Sequence, residues 1–290
     1  MTITNTKWQC GSRVLDLAEP VVMGVLNVTP DSFSDGGRFV AHASALEHAR
    51  SMIAEGAAII DIGGESTRPG ASPADAAEEL QRVIPIIEAL RRESPVFISV
   101  DTSKPEVMRA AVAAGADIIN DVRALAEPGA LEAAAASNAG LCLMHMLGEP
   151  RTMQDAPHYD NVVEDVSSFL AARMRACRDA GVDTARLTID PGFGFGKTTA
   201  HNLVLLKNLA ALEALGAPIV VGLSRKSMLA KITGRAVESR IFGSVALAAI
   251  AVLNGARIVR AHDVAATWDA VRVASAVGMG EPGGRTIDGT

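Results

Sequence analysis

The chain has 290 residues, of which 49% are hydrophobic, 21% are charged and 3% are aromatic. This is an ordinary globular composition, and it excludes a disordered or low-complexity chain. The 27 Lys and Arg residues against 33 Asp and Glu give a formal net charge of −6. A nucleic acid is therefore a poor candidate partner, because its phosphates require a basic surface.

The cysteines and the apolar segments bear on the compartment. Cys10, Cys142 and Cys177 are widely spaced and form no C-x-x-C pair, which argues against a disulfide framework or a cysteine zinc site. The N-terminus has no apolar signal-peptide core, and the conspicuous apolar run at residues 245–253 is shorter than the roughly 18 residues of a membrane helix. We therefore expect a soluble, cytoplasmic protein with no membrane partner.

Short runs rich in Val and Ile alternate with longer helical patterns along the chain. An alternating stretch at residues 8–17 comes first and predicts a small hairpin. Eight strands are then predicted at residues 21–27, 58–63, 96–101, 117–121, 141–145, 187–190, 219–222 and 257–260. Apolar residues spaced three and four apart predict helices between them, at residues 43–55, 74–92, 105–114, 161–180, 203–215 and 244–253 among others.

The alternation of strands and helices indicates the fold. It implies parallel strands that are joined by crossover helices and buried on both faces. Eight such units close most simply into an α/β fold of the (β/α)8 TIM barrel type, with the short N-terminal hairpin closing its bottom. We predict a single domain over residues 1–290 with a core at about 18–278, although length alone allows about two domains. The alternative is an open doubly wound sheet, but no glycine fingerprint follows the first strand.

Polar residues end the predicted strands, where a barrel builds its active site. They are Asn27, Asp61, Asp101, Asn120, Asp121, His145, Asp190, Ser224, Arg225, Lys226, Arg260 and His262. Asp61 and Asp121 can equally be turn or helix-capping residues. Turn chemistry does not explain His145, Lys226 and Arg260, so the set predicts a site for a small, planar, polar ligand. An all-protein metal cage is not expected, but a Mg²⁺ brought by phosphates and touched by one Asn stays open.

Three loops at these strand ends are rich in Gly or polar residues. The segment PGFGFGKT at residues 191–198 looks like a Walker loop, but Pro191 stands where its first glycine belongs, and a dinucleotide fingerprint is also absent. We therefore expect a tight turn that lets a ligand approach closely. The long loop at residues 27–37 is a lid, a ligand loop or idle surface. Arg68, in the loop at residues 64–70, is suited to an anionic ligand, although a solvated charge is the simpler explanation for Arg68 alone.

Taken together, these segments resemble the dihydropteroate synthase family. The matching segments are LNVTPDSFSDGG at residues 26–37, DIGGESTRPG at 61–70, VDT at 100–102, IND at 119–121, MHM at 144–146, DPGFGFGK at 190–197, SRK at 224–226 and RAHD at 260–263. They occur in the family's order, and each falls at a predicted strand end. Ala261 stands where the family often has Val, which changes no polar group.

The resemblance implies a transferase of folate biosynthesis. It would condense 6-hydroxymethyl-7,8-dihydropterin diphosphate with 4-aminobenzoate to give 7,8-dihydropteroate and diphosphate, with Mg²⁺ as cofactor and sulfonamides as inhibitors. The implied pterin-binding residues are Asp101, Asn120, Asp190, Lys226 and Arg260, and the implied diphosphate-binding residues are Asn27, Arg68, Arg260 and His262. Asn27 would also bind the metal, Thr67 would lie near the substrate, and Phe33, Arg68, Pro69 and Ser227 would contact the aminobenzoate. Asp101, Lys226, Arg68 and Asp35 would be catalytic.

The chemistry of these side chains agrees with the implied reaction. Asp and Asn match the donors and acceptors of a pterin edge, while Arg, His and Mg²⁺ meet the charge of a diphosphate. An anionic pocket favours loss of diphosphate first and attack by the amine second. Because ordering loops costs entropy, we expect the segments with Phe33, Arg68 and Pro69 to close around diphosphate and Mg²⁺ before aminobenzoate or a sulfonamide binds.

Three further expectations accompany this function. The resemblance implies a homodimer, and the Ala-rich helix at residues 244–253 suits close helix packing, although packing against the barrel explains it equally well. A pterin-binding methyltransferase on the same barrel is a rival, but it would have no use for Phe33, Arg68 or the diphosphate residues. A non-catalytic pterin-binding protein is the other rival, and it would be expected to have lost the charged loop residues.

Overall fold

The computed structural model describes residues 6–28, 37–65, 74–149 and 152–280. The strands in these residues are β1 (Lys7–Cys10), β2 (Arg13–Asp16), β3 (Val21–Asn27), β4 (Ala57–Gly63), β5 (Phe97–Asp101), β6 (Ile118–Asp121), β7 (Gly140–Met144), β8 (Leu187–Asp190), β9 (Ile219–Gly222) and β10 (Ala256–Ala261). The α-helices are α1 (Gly37–Ala54), α2 (Ala76–Glu93), α3 (Pro105–Ala113), α4 (Ala130–Ala136), α5 (Val162–Asp179), α6 (Thr199–Lys207), α7 (Ser227–Thr233), α8 (Ile241–Leu253) and α9 (Val264–Met279). Short 3₁₀ helices occur at Thr184–Arg186, Leu209–Leu215 and Val237–Ser239.

Strands β3 to β10 close into a parallel barrel in which neighbours in the chain are neighbours in the sheet, and β10 pairs with β3. The predicted TIM barrel is confirmed, and each predicted strand agrees with the observed one to within one residue at either end. The helix predicted at residues 203–215 is instead α6 followed by a 3₁₀ helix. Asn208 separates them, and its Nδ2 donates to the Val204 carbonyl at 2.8 Å, a local side-chain bond that competes with helix continuation.

The predicted N-terminal hairpin is formed by β1 and β2, and it closes the amino-terminal end of the barrel. The indole of Trp8 is fully buried and donates to the Arg186 carbonyl at 2.8 Å, just before β8 begins. Trp8, Cys10, Leu15 and Leu17 pack with inward-facing residues of the barrel strands in one apolar cluster. This apolar cluster therefore fills the hairpin end of the barrel.

The barrel interior changes from apolar to polar towards the carboxyl ends of the strands. On β4, Ile60 and Ile62 pack outwards in the core beneath the helices, whereas Ile59 belongs to the inner cluster near the hairpin. Side chains alternate along a strand, so Asp61 shares the inner face with Ile59. Asp61 pairs in register with Ser99 on β5, and both side chains are fully buried. The upper interior of the barrel is therefore a layer of polar groups.

In the described part of the chain, none of the helices combines the length and the hydropathy that crossing a membrane would require.

Candidate active site

A pocket opens at the carboxyl ends of the barrel strands. Its lining includes all five residues implied to bind a pterin: Asp101, Asn120, Asp190, Lys226 and Arg260. Val122, Met144, Gly192, Phe193, Phe195 and Gly222 complete it. The five polar residues come from β5, β6, β8, the β9–α7 loop and β10, so barrel closure is what brings them together.

Arg260 is held at the centre of this pocket by two carboxylates. Its Nε donates to Asp61 Oδ2 at 2.6 Å, and its Nη2 donates to Asp101 Oδ2 at 2.7 Å. The same Asp61 oxygen accepts a hydrogen bond from Asn120 Nδ2 at 3.1 Å. Asp61 is therefore part of the site's support and not a turn residue. The signal that could have found it is its parity with Ile59 on β4.

The pKa values of the pocket residues reflect burial and crowding of charge. Burial raises the pKa of Asp101 to about 7, against the opposing influence of Arg260 and with a smaller contribution from Asp61. Burial also lowers the pKa of Lys226 to about 8, and the positive charge of Arg260 lowers it further. Burial acts downwards on the pKa of Arg260, but the two carboxylates outweigh it and the guanidinium stays charged. Ionisable groups in a cleft whose pKa values are shifted towards neutral pH are typical of a functional site.

The glycine-rich segment after β8 forms the expected tight turn and not a nucleotide loop. Asp190 Oδ1 accepts a hydrogen bond from the Gly192 backbone N–H at 2.7 Å. Gly192 has a φ of +68°, and a Cβ there would lie 1.8 Å from the His145 carbonyl oxygen, so only glycine fits. The turn places the Phe195 ring 4.2 Å from Lys226 Nζ. Sequence reasoning missed Phe195, because its place in the pocket depends on the fold of this turn.

Three other implied residues lie around the pocket. Ser224 Oγ is 3.1 Å from His262 Nδ1 and accepts the His262 backbone N–H at 3.2 Å. Burial and the charge of Arg260 lower the pKa of His262 to about 4, so its imidazole is neutral. Asn27 is exposed at the end of β3, and a Cβ on Gly63 would lie 3.8 Å from Asn27 Oδ1 and 3.5 Å from Asp101 Cβ. Ser227 is exposed at the first position of α7.

The remaining strand-end residues have other positions. His145 does not line the pocket, because its Nδ1 is 2.8 Å from Lys197 Nζ beneath the glycine-rich turn. Asp121 accepts the backbone N–H groups of Arg123 and Leu125 at 2.8 Å each, which is the turn role that sequence analysis left open. Phe33, Asp35, Thr67, Arg68 and Pro69 lie outside the described residues.

The oxygen atoms at the mouth of the pocket are ligands of the kind that suit Mg²⁺. Within residues 6–28, 37–65, 74–149 and 152–280, no three His, Cys, Asp or Glu side chains come together as a metal site. Asn27 offers an amide oxygen as a metal ligand, and the side chains of Asn27 and Asp101 both lie next to Gly63. Mg²⁺ commonly takes one or two protein oxygens together with substrate phosphates. The residues present therefore fit a Mg²⁺ ion that arrives with a diphosphate.

Comparison with known proteins is in keeping with this geometry. The family model described as "Pterin binding enzyme" matches residues 23–262. The dihydropteroate synthase of Escherichia coli strain K12 is 53% identical over 262 residues, which cover 90% of this chain and 93% of that protein. The Xanthomonas albilineans dihydropteroate synthase with 4-aminobenzoic acid superimposes with a TM-score of 0.89 at 53% identity, covering 94% of this chain and 98% of that one. The Yersinia pestis dihydropteroate synthase in a sulfonamide drug complex gives a TM-score of 0.89 at 48% identity, with coverage of 93% and 98%. The chain belongs to the dihydropteroate synthase family of transferases.

Proposed function

We propose that this chain condenses 6-hydroxymethyl-7,8-dihydropterin diphosphate with 4-aminobenzoate in the pocket at the carboxyl end of the barrel, releasing diphosphate. The observation that carries the proposal is the convergence of Asp101, Asn120, Asp190, Lys226 and Arg260 on one pocket. The X. albilineans relative was solved with 4-aminobenzoic acid and the Y. pestis relative with a sulfonamide drug. We extend both ligands, the second as an inhibitor, to this chain.

The pterin would be recognised through its aminopyrimidinone edge. Asp190 and Asn120 offer acceptors and a donor at the buried side of the pocket, where a ligand that left them unpaired would bind poorly. Arg260 would lie against the ring, because Asp61 and Asp101 fix its guanidinium on one side. Lys226 would donate to the ring from beside Phe195.

The reaction would begin with cleavage of the bond between the methylene carbon and the diphosphate oxygen. The electron pair of that bond leaves with the diphosphate, and the cation left on the methylene is conjugated to the pterin ring. Asp101 and Asp190 stabilise this cation electrostatically. The amine nitrogen of 4-aminobenzoate then forms the new C–N bond and releases one proton to solvent, so no covalent link to a side chain is required.

The diphosphate would be held at the rim of the pocket. Asn27, Arg68, Arg260 and His262 are the proposed contacts, and Asn27 would hold Mg²⁺, which when bound neutralises part of the leaving-group charge. Ser227, together with Phe33, Arg68 and Pro69, would contact the aminobenzoate. Thr67 and Asp35 complete the proposed set, with Asp35 and Arg68 as catalytic residues beside Asp101 and Lys226.

We also propose that the chain is a single barrel domain and works as a cytoplasmic homodimer. Val273 and Val277, one turn apart on α9, are 64% and 68% exposed. The end of α8 is adjacent, since a Cβ on Gly278 would lie 3.8 Å from the exposed Leu253. Exposed apolar groups on two packed helices favour self-association.

Cys10, Cys142 and Cys177 are free and buried, which supports a reducing compartment.

The experiment that tests the function is a coupled assay for diphosphate release. Release is expected only when both the pterin diphosphate and 4-aminobenzoate are present, and Asp101→Asn should slow it strongly while the variant still folds. If diphosphate appears at the same rate without 4-aminobenzoate, the proposed condensation is wrong. Binding of a pterin without any turnover would favour a non-catalytic pterin-binding protein.

A further inference from the structure

Lys197 is a buried cation directly beneath the glycine-rich turn. Its side chain is among the most buried charged groups described, with 2% of the residue exposed. Nζ donates to the Gly192 carbonyl at 2.9 Å and to the Phe195 carbonyl at 3.1 Å, and it lies 2.8 Å from His145 Nδ1. These are three acceptors for the three hydrogens of an ammonium group.

The three acceptors connect Lys197 to the pocket without placing it there. The Gly192 N–H binds Asp190, and the Phe195 ring faces Lys226. The Phe195 N–H also donates to the Gly192 carbonyl at 3.1 Å, which closes the turn. One buried atom therefore holds both ends of the segment that contacts two pterin-binding residues, and Lys197 itself is not among the residues that line the pocket.

The protonation states of the cluster are consistent with a holding role. Burial, with the charge of Lys197, lowers the pKa of His145 to about 3, so His145 is a neutral acceptor at neutral pH. Burial lowers the pKa of Lys197 to about 7. A neutral lysine amine keeps two N–H groups for the two turn carbonyls, so the turn is held on both sides of this titration.

We propose that Lys197 is a positioning residue of the transferase. Its amine fixes the turn from Gly192 to Phe195, and this turn holds Phe195 against Lys226 in the pterin site. The inference rests on the proposed function and extends it. Removing Lys197 takes the side-chain donor from both carbonyls: the Gly192 carbonyl keeps the Phe195 N–H, but the part-buried Phe195 carbonyl loses its donor and relaxes by moving towards another partner. The turn would then shift, and with it the Phe195 ring.

The first test is Lys197→Met, which keeps the length of the side chain and removes its hydrogen bonds. We expect kcat/KM for the pterin diphosphate to fall about tenfold or more, because a misplacement of about 1 Å in a positioning group can cost on the order of 100-fold. The loss should appear mainly in KM for the pterin substrate, with little change in KM for 4-aminobenzoate.

Arg186→Met is the matched control for lost stability. Arg186 is a buried cation that donates to the Ala134 and Ala139 carbonyls at 2.9 Å each, at the hairpin end of the barrel. Both substitutions should lower the melting temperature, but only Lys197→Met should change the kinetic constants. Equal kinetic losses in the two variants would reduce Lys197 to a structural residue and overturn the proposal.

A double-substitution cycle with Phe195→Leu tests whether Lys197 acts through Phe195. In the Phe195→Leu background, Lys197→Met should cost much less than in the wild type. The same fold loss in both backgrounds would overturn the proposal. Should Lys197→Met fail to fold, Phe195→Leu alone decides, since a wild-type KM for the pterin diphosphate would show that the held ring has no role. A wild-type chain without turnover would instead contradict the proposed function, so the two failures are distinguishable.

Discussion

Asp61 and Arg260 form an ion pair inside the barrel, with Asp61 Oδ2 2.6 Å from Arg260 Nε and the Asp61 side chain fully buried. The other Asp61 oxygen, Oδ1, has no hydrogen-bond partner in the described structure. The pair therefore contains one buried acceptor without a hydrogen-bond partner, which lowers the free energy of unfolding. Asp61 lies behind the pocket lining, where its hydrogen bonds orient Arg260 and Asn120 for the ligand.

Asp61→Asn should weaken pterin binding and lower the free energy of unfolding. The amide keeps the shape of the side chain but removes the charge that faces Arg260, and hydrogen bonds to charged groups contribute about 1.5–3 kcal/mol. Urea unfolding and calorimetry with a pterin measure the two effects. Glu93→Gln, in the exposed pair with Arg50, is the control and should change little, because surface ion pairs contribute little. Unchanged pterin affinity in Asp61→Asn would contradict the orienting role.

The pH dependence of turnover should follow Asp101. Because burial raises its pKa to about 7, the carboxyl is neutral below that pH and becomes an anion above it. Anionic Asp101 stabilises the cationic intermediate, so kcat/KM for the pterin diphosphate should rise through about pH 7. Asp101→Asn should lack this rise and should lose about 10- to 150-fold in kcat/KM, corresponding to about 1.5–3 kcal/mol. A pH profile with the same rising limb in the variant would assign the titration to another group.

Lys226→Ala should abolish turnover without unfolding the chain, because Lys226 lines the pocket and does not belong to the packed core. The pKa of Lys226 is lowered to about 8 by burial and by Arg260, so the wild-type profile should fall again as the ammonium loses its proton. Circular dichroism checks the fold, and the diphosphate-release assay measures the loss. Near-normal kcat/KM in a folded Lys226→Ala variant would show that the pterin site is assigned wrongly.

Diphosphate binding should be accompanied by proton uptake at His262. The free imidazole has a pKa of about 4 because of burial and neighbouring cations, and a bound anion favours its charged form and raises that pKa. At about pH 5.5 the neutral histidine should therefore take up a proton. Calorimetry with inorganic diphosphate in two buffers of different ionisation enthalpy measures the uptake. His262→Asn supplies the background from the titration of diphosphate itself, and equal uptake in both proteins would exclude His262 from the anion site.

The sequence predicted the barrel well because its strands are nearly continuous apolar runs, as expected for strands that are buried on both faces. Runs such as residues 21–27 are apolar on both faces, and their polar ends coincide with the mouth of the barrel. For the same reason, the strand ends pointed to the five polar residues that line the pocket, whereas their assignment to a pterin came from the family resemblance. Asp61 was uncertain because one residue could be explained by turn chemistry, whereas its parity with Ile59 places it on the inner face and its hydrogen bond to Arg260 shows its role. Lys197 and Phe195 could not be found, since their roles depend on backbone carbonyls that the turn directs inwards.

The proposed homodimer can be tested on α9. Val277→Asp places a charge among the exposed apolar groups of α8 and α9, and burying an unpaired charge in an interface is costly. The wild type should sediment at twice the 30.1 kDa of one chain, and the Val277→Asp variant should shift towards one chain at micromolar concentration. Val14→Asp is the matched control, because Val14 is also an exposed apolar residue but lies on the hairpin at the opposite end of the barrel from the pocket. It should leave the assembly unchanged. A wild-type protein that sediments as a single chain would exclude the homodimer, and a dimer that both variants retain would place the interface away from α9.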